Sequence, residues 1–320
     1  MKKTKYAFLL AAFKTKYLQE AIASILNQTY KDFRLIISDD CSPEDVRGIV
    51  DGFNDERITY LKNHKNIGGY NLVDHWNLEL QRDSNDSEYI IMASDDDVYH
   101  PDFLEQIDEL TKKYPDVDLL RGRCVDGDSE LVPKKIDDPA DEYQTELHFA
   151  SWVYNGRHIN SFANFVFKAD ALKAKGGFIK FPYAWYSDVV TTLMMAEHGV
   201  AHTLYPVFTY RGSSLSISSK RANRDVLKGK LEAALMNHAW MDAFAGGLHY
   251  DDTKLNRHLY TELVVNFRHD SYATIVNYLR VCSLSEKVRV YKTLQRQSIF
   301  GKSTFWKEFI IHYTAKILKK

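Results

Sequence analysis

The sequence predicts an α/β fold: a doubly wound, mostly parallel sheet followed by a helical C-terminal extension. Three observations carry that prediction. Apolar runs of strand length alternate with helical patterns through roughly the first third of the 320 residues, as in a parallel sheet covered on both faces. Acidic strings close two of those runs, where ligands sit in open α/β sheets. Beyond Arg224 the pattern is mostly helical, with Leu227, Leu231, Ala234, Leu235 and His238 on one face.

Tyr6 to Ala12 reads as the first strand. Positive charge precedes it, but the apolar run is too short and lacks the cleavage site a signal peptide needs. Lys16 to Asn27 follows as a helix, with Leu18, Ala21, Ile22, Ile25 and Leu26 at helical spacing. Phe33 to Ser38 is a second strand. Ser42-Pro43-Glu44-Asp45 then has the form of a helix start: Ser42 as cap, Pro43 at the first position, acids in the first turn. Arg57 to Asn63 is a third strand, Tyr70 to Gln81 a helix, Glu88 to Ala93 a fourth strand, and Pro101 to Tyr114 a helix stopped by Pro115. Asp118 to Arg121 opens another strand, after which a polar stretch from Asp126 to Glu146 interrupts the alternation. Ile159 to Phe167 reads as a strand, Ala169 to Lys175 as a short helix ended by Gly176-Gly177, and Ser187 to His198 as a helix ended by Gly199.

A formal net charge of −1 gives no electrostatic case for nucleic acid as a partner. The charge is uneven, however: Lys287 to Lys320 holds many basic residues and a single acid, Glu308. Val290, Leu294, Ile299, Phe300, Phe305, Trp306 and Phe309 are mixed among them. Two readings of this segment stand side by side, a basic amphipathic helix in a membrane interface and a helix packed on the catalytic domain with a solvated basic face. Cys41, Cys124 and Cys282 have neither zinc nor redox spacing, which suits a reducing cytoplasm. His148, His158 and His198 share no ligand spacing and are taken as structural.

Asp95-Asp96-Asp97 is the most informative string. It follows the apolar run Tyr89 to Ala93. Adjacent carboxylates there repel by up to ~4 kcal/mol per pair at an effective dielectric of about 20, so they call for a counter-charge. A hard divalent cation, Mg²⁺ or Mn²⁺, supplies it, held by one or two carboxylates plus the phosphates of a substrate. An acidic surface turn is the alternative. Ser38-Asp39-Asp40-Cys41-Ser42 closes the second strand in the same way and could meet a base or ribose, or merely cap a turn. Asn66-Ile67-Gly68-Gly69 follows the third strand, as a close approach to a ligand or a plain turn; it is neither a dinucleotide fingerprint nor a Walker loop. The aromatic run Phe181 to Tyr186 precedes Asp188, a helix-start acid that could be a cap or a base. Arg211 in Tyr210-Arg211-Gly212-Ser213 could meet diphosphate oxygens or pair with a structural carboxylate.

Taken together, these strings resemble an inverting family 2 glycosyltransferase of the GT-A fold. The matching text runs Tyr17 to Tyr30, Phe33 to Ser42, Asn66 to Gly68, and Tyr89 to Leu104 with its acidic triplet and Pro101-Asp102-Phe103-Leu104. Departures are visible too. Ala11-Ala12-Phe13-Lys14 stands where the family usually has Pro-Thr-Tyr-Asn, Cys41 stands where a Gly is common, and no Arg precedes Asn77. The resemblance implies a GT-A domain over 1–218, with a nucleotide-binding half (1–122) and an acceptor half (123–218), then a helical region over 219–320. It implies that Ala11, Phe13, Asp39, Asp40, Asn66, Gly68, Asp95 and Arg211 contact the nucleotide, that Asp96 and Asp97 hold the metal, and that Asp188 is the general base. Trp185 and Tyr186 are expected to form the acceptor wall. The donor is expected to be a nucleoside diphosphate sugar, UDP first among the nucleotides, and the acceptor a saccharide or lipid-linked saccharide of bacterial surface polysaccharide assembly. The expected location is the cytoplasm, with peripheral contact at the inner face of the membrane through the basic C-terminal segment.

Two rivals are weighed against this. A sugar nucleotidyltransferase would want a Gly-rich basic loop after the first strand, and Ala11 to Lys16 has no glycine. A silent nucleotide-sugar-binding or scaffold protein would keep the fold without turnover.

Overall fold

A computed structural model describes residues 4–83, 86–212, 224–279 and 282–296. In chain order the elements are β1 (Thr4–Ala12), α1 (Leu18–Leu26), β2 (Phe33–Asp39), α2 (Val46–Asp51), β3 (Ile58–Lys62), α3 (Gly68–Asp83), β4 (Ser87–Ala93), β5 (Val98–Tyr99) and α4 (Phe103–Lys113). There follow β6 (Leu119–Gly127), β7 (Pro133–Ile136), β8 (Tyr143–Gln144), α5 (Glu146–Tyr154), β9 (Phe165–Lys168), α6 (Ala169–Ala174), α7 (Ser187–Met195) and β10 (Val200–Arg211). Three helices complete the described chain: α8 (Arg224–Gly247), α9 (Lys254–Leu279) and α10 (Leu284–Arg296).

The strands form one sheet in the order β3-β2-β1-β4-β9-β6-β10-β5, with β7 on β6 and β8 on β10. The pairs β3·β2, β2·β1, β1·β4 and β6·β10 are parallel, while β9 runs antiparallel to both β4 and β6. This is the mostly parallel, doubly wound α/β sheet that the sequence predicts.

The period of two in the strands divides the core. Tyr6, Phe8 and Leu10 of β1 face α1, α2 and α4, packing with Leu35, Ile37 and Ile91. Ala7 and Leu9 face the other side, with Ile36, Ile90 and Met92, under α3, α5, α6 and α7. Leu259, Leu263 and Phe267 of α9 belong to that second cluster, so a C-terminal helix completes the core of the sheet. The expected domain division at 218/219 falls outside the described residues, as do the serines after Gly212 and residues 297–320 of the basic segment read over Lys287 to Lys320, whose first ten residues lie in α10. Among the described residues no helix is long and apolar enough to cross a membrane.

Several boundaries differ from expectation, each for a local reason. Ser42 does not cap α2. Its hydroxyl donates to the Phe13 carbonyl at 2.6 Å and accepts from the Glu44 N–H at 3.0 Å, so Asp45 becomes the cap, accepting from the Gly48 N–H at 2.9 Å. Pro101 lies outside α4, which starts at Phe103. The buried Gln28 reaches across to serve that helix start, accepting from the Leu104 N–H at 2.9 Å and donating to the His100 carbonyl at 2.8 Å. The stretch expected to be irregular contains β7, β8 and the start of α5. The strand expected over Ile159–Phe167 is confined to β9, preceded by a 3₁₀ turn at Phe162–Asn164.

Register fixes where the strands end. Ala12 pairs with Asp39 and Leu10 with Ala93, so the carboxyl ends of β1, β2 and β4 lie side by side. The segments Phe13-Lys14, Asp39-Asp40 and Asp95-Asp96-Asp97 therefore leave one edge of the sheet together.

Candidate active site

The triplet after β4 is divided among three environments. One carboxylate oxygen of Asp95 accepts from the backbone N–H groups of Phe13 at 3.0 Å and Lys14 at 2.7 Å, which joins the turn after β4 to the end of β1. The Lys14 ammonium lies 2.9 Å from the other Asp95 oxygen and 2.7 Å from Asp96. Burial works against that ammonium, but the two carboxylates outweigh it and hold Lys14 above the usual lysine range. Burial pushes Asp95 up, with Lys14 opposing. Asp96 is the more open of the Lys14 partners, its side chain 12% exposed against 5% for Asp95.

Asp97, expected as a metal ligand, has both carboxylate oxygens bonded within the fold. One of its oxygens accepts from the Ser94 hydroxyl and the other from the Arg211 backbone N–H at 2.8 Å, so it ties the turn after β4 to the end of β10. Burial, then the charge of Asp96, push its carboxyl up to about 7. Arg211 also differs from expectation. Its guanidinium donates to the Asp96 carbonyl at 2.7 Å and the Ser129 carbonyl at 2.6 Å, pairs with Glu20, and lies 4.2 Å from the centre of the Tyr17 ring. It is buried and pairs with a carboxylate of α1, the structural one of the two readings its sequence context allows.

The two acids after β2 are both buried. Asp39 accepts from the Ser42 N–H at 2.8 Å and the Tyr60 hydroxyl at 2.6 Å, and the Lys62 ammonium stands 3.4 Å away. Asp40 accepts from the N–H groups of Ile67 at 2.9 Å and Gly68 at 2.6 Å, and from the side-chain amides of Asn63 at 2.8 Å and Asn66 at 3.1 Å. Asp40, Asn66 and Gly68, all expected at the nucleotide, thus bond to one another and shape the loop into α3. Ala11 lies within β1 beside this edge, and the Phe13 ring at its end is 41% exposed.

The string from Gly177 to Asp188, expected at the acceptor, is held from two directions. Asn77 of α3 clasps the backbone of Phe178, donating to its carbonyl at 3.0 Å and accepting from its N–H at 2.8 Å. The clasp requires glycine beside it: Gly177 has φ +85°, and a Cβ there would stand 2.4 Å from the Asn77 oxygen. Further on, Tyr183, Ala184 and Tyr186 all have positive φ. The C-terminal helices receive these residues. The Tyr183 ring lies against Gly229, the Lys230 ammonium stands 3.9 Å from the centre of the Trp185 ring, and the Tyr186 hydroxyl donates to Asp270 at 2.7 Å. Tyr186, expected in the acceptor wall, has its hydroxyl turned toward the helical region, where it meets the half-buried Asp270. Trp185 is half-buried, and its indole N–H has no hydrogen-bond partner among the described residues.

Asp188 opens α7 as the second residue of its first turn. Burial pushes its carboxyl up to about 6, opposed by the backbone N–H groups of Val189 and Asp188 itself. It shares no hydrogen bond or ion pair with the triplet among the described residues. A carboxyl lifted toward neutrality in a partly covered position is suited to taking a proton.

Residues 10–175, more than half of the 320-residue chain, match the family model described as Glycosyl transferase family 2. The chain belongs to glycosyl transferase family 2. An uncharacterized glycosyltransferase of Methanocaldococcus jannaschii is 33% identical over 109 residues, covering 33% of this chain and 36% of that protein. The GalNAc(5)-diNAcBac-PP-undecaprenol beta-1,3-glucosyltransferase of Campylobacter jejuni is 35% identical over 82 residues, covering 25% of each. The chain thus matches between a quarter and just over a third of the length of these relatives. Among solved structures, S. aureus TarS 1-349 superposes with a TM-score of 0.62 at 14% identity, over 91% of this chain and 79% of that one. The mannosyltransferase PcManGT from Pyrobaculum calidifontis, solved with GDP-Man and Mn²⁺, does so with a TM-score of 0.53 at 15% identity, over 99% of this chain and 87% of that one. These likenesses agree on the GT-A fold of this family 2 glycosyltransferase.

Three residues that build the site have roles the sequence does not announce. Lys14 belongs to the strand end Ala11 to Lys14 that the resemblance puts at the nucleotide, but its pairing with Asp95 and Asp96 is a separate role, although a cation beside a strand end that faces acids is a legible signal. Asn77 was noted only for the Arg that does not precede it. Asp270 carries no local signal, because its partner is 84 residues away.

Proposed function

We propose that this family 2 glycosyltransferase moves a sugar from a nucleoside diphosphate donor to a hydroxyl acceptor with inversion, in a metal-dependent reaction. The observation that carries the reading is the acidic turn after β4 meeting the ends of β1 and β2 at one sheet edge, with Asp96 its more open Lys14-paired carboxylate. Mg²⁺ or Mn²⁺ fits the chemistry of this turn. Among the described residues no three acid, His or Cys side chains converge as ligands, so Asp96 would hold the ion with donor phosphate oxygens completing its shell. The bound ion would supply charge neutralisation at the diphosphate.

The chain's own residues account for the rest. Asp95, Asp39 and the end of β1 at Ala11 face the nucleoside, and the exposed Phe13 ring offers a surface for the base. Asp188 accepts the proton of the acceptor hydroxyl as that oxygen bonds to the anomeric carbon; the bond to the donor phosphate oxygen breaks, and its electrons leave with the diphosphate. A one-step displacement of this kind inverts the carbon and needs no protein nucleophile. Trp185 lines the acceptor side, where an amphipathic ring suits a sugar face.

The donor is UDP-linked in this reading, as in the S. aureus TarS structure with UDP-GlcNAc; GDP-Man in the Pyrobaculum neighbour marks the alternative nucleotide. In this reading the acceptor is a saccharide, lipid-linked as in the Campylobacter relative's name, and the enzyme works on the cytoplasmic face of the membrane in surface polysaccharide assembly. Thermal unfolding with UDP, GDP and TDP sugars in Mn²⁺ tests the donor. A sugar nucleotide at a hundredfold excess over Kd should add about 2.7 kcal/mol, and stabilisation by none of them would overturn the proposal.

A further inference from the structure

We propose that Asp270, in the helical C-terminal region, is a positioning residue for Asp188, acting through the hydroxyl of Tyr186. The inference rests on the reading of Asp188 as the general base and adds a residue from α9 to its support.

Tyr186 stands immediately before α7 with φ +67°, and Tyr183 and Ala184 are left-handed as well, at +56° and +55°. Such a conformation is strained for a non-glycine residue and persists only where its surroundings impose it. The surroundings of Tyr186 are specific. Its hydroxyl donates to Asp270 at 2.7 Å and lies 3.0 Å from the Thr274 hydroxyl, one turn further along α9. Its ring packs on the cluster of Leu231, Ala234, Ile275 and Leu279. Asp270 is therefore the charged end of an anchor that holds a strained residue in place.

That residue aims the base. Asp188 has no side-chain hydrogen-bond or ion-pair partner among the described residues and stands in the first turn of α7, directly after Tyr186 and Ser187. Its direction is consequently set by the backbone at 186–189 and by little else. Ser187 fixes the near side of that turn, accepting from the Phe181 N–H at 3.0 Å. The far side is fixed by Tyr186 and, behind it, Asp270. A general base has to reach its proton within about 2.6–3.2 Å, and a misplacement of about 1 Å can cost on the order of a hundredfold in rate.

The experiment measures initial rates of nucleoside diphosphate release from UDP-glucose, UDP-GlcNAc and GDP-mannose by the full chain, with donor KM and the unfolding midpoint of each variant. Tyr186→Phe and Asp270→Leu should each lower kcat about tenfold or more while donor KM stays within about twofold. Asp270→Asn, which keeps an acceptor for the hydroxyl, should restore most of the rate. The two losses should not multiply when combined, and Tyr186→Phe should cost nothing further in an Asp188→Asn background, because the base it aims is gone. A structural role alone would give the same fractional loss with or without Asp188. That result, or full activity of a folded Tyr186→Phe, overturns the proposal and leaves the base reading standing. Full activity of Asp188→Asn overturns the base reading, and this inference with it.

Discussion

Asp96 and Asp97 are neighbours in the chain and opposite in circumstance. Asp96 faces Lys14 from a partly open position, whereas both oxygens of Asp97 are bonded inside the fold. Asp96→Asn should therefore lower turnover about a hundredfold or more, since a neutral amide cannot offset a divalent cation; its unfolding midpoint should hardly move, and weakened Mn²⁺ binding by paramagnetic resonance would locate the defect. Asp97→Ala should act on stability instead, leaving the Arg211 N–H without a partner at a cost of about 1–3 kcal/mol in urea unfolding. Asp188 carries a pH dependence. Its carboxyl is raised to about 6, so the deprotonated form that can take a proton accumulates as pH rises through that value. The rate should climb with pH below about 6 and level off above about 7, and a flat profile from pH 5 to 8 would remove Asp188 from the chemistry. For folding the sign is reversed. A raised carboxyl holds its proton more tightly in the folded chain, so its contribution is fully present below the unfolded value and lost as pH rises through about 6.

At the scale of elements, the turn between α6 and α7 depends on a residue from α3. Asn77 satisfies both the N–H and the carbonyl of Phe178, and Gly177 makes room for it. Asn77→Ala should cost about 1–3 kcal/mol by leaving those groups without partners, and Gly177→Ala should cost at least about 1 kcal/mol through its positive φ and the collision with Asn77. Combining the two should cost less than their sum, which chemical denaturation can read. The parallel strands were legible in the sequence because they are buried on both faces and read as continuous apolar text, and the acidic strings marked their carboxyl ends. The helix α5 was not legible. Leu147, Phe149, Ala150, Ser151 and Trp152 are all buried in so short a helix that no polar face remains to mark a period. β7 failed for the opposite reason, with every residue exposed and a proline at its start. Of the site, the carboxylates could be read and their partners could not. Nothing local to Asp97 tells that Arg211 offers it a backbone N–H 114 residues later.

For the whole molecule, the C-terminal helices complete the core. Leu259, Leu263 and Phe267 are buried with the residues under the sheet, and exposing any of them forfeits about 1.5–3 kcal/mol of apolar burial, a large loss for a domain whose net stability is roughly 5–15 kcal/mol. A chain ended at Asp252 should accordingly be insoluble or lose its cooperative thermal transition; a truncated chain that melts like the full one would show that α9 is dispensable. The clasp at Asn77 has a separate consequence for anyone recombining relatives to change what they glycosylate. A crossover at the proposed division between a nucleotide half (1–122) and an acceptor half (123–218) cuts between Asn77 and the backbone it grips. A hybrid that takes residues 123–218 from another family member inherits the loop without its fastener, unless position 77 is brought along with it.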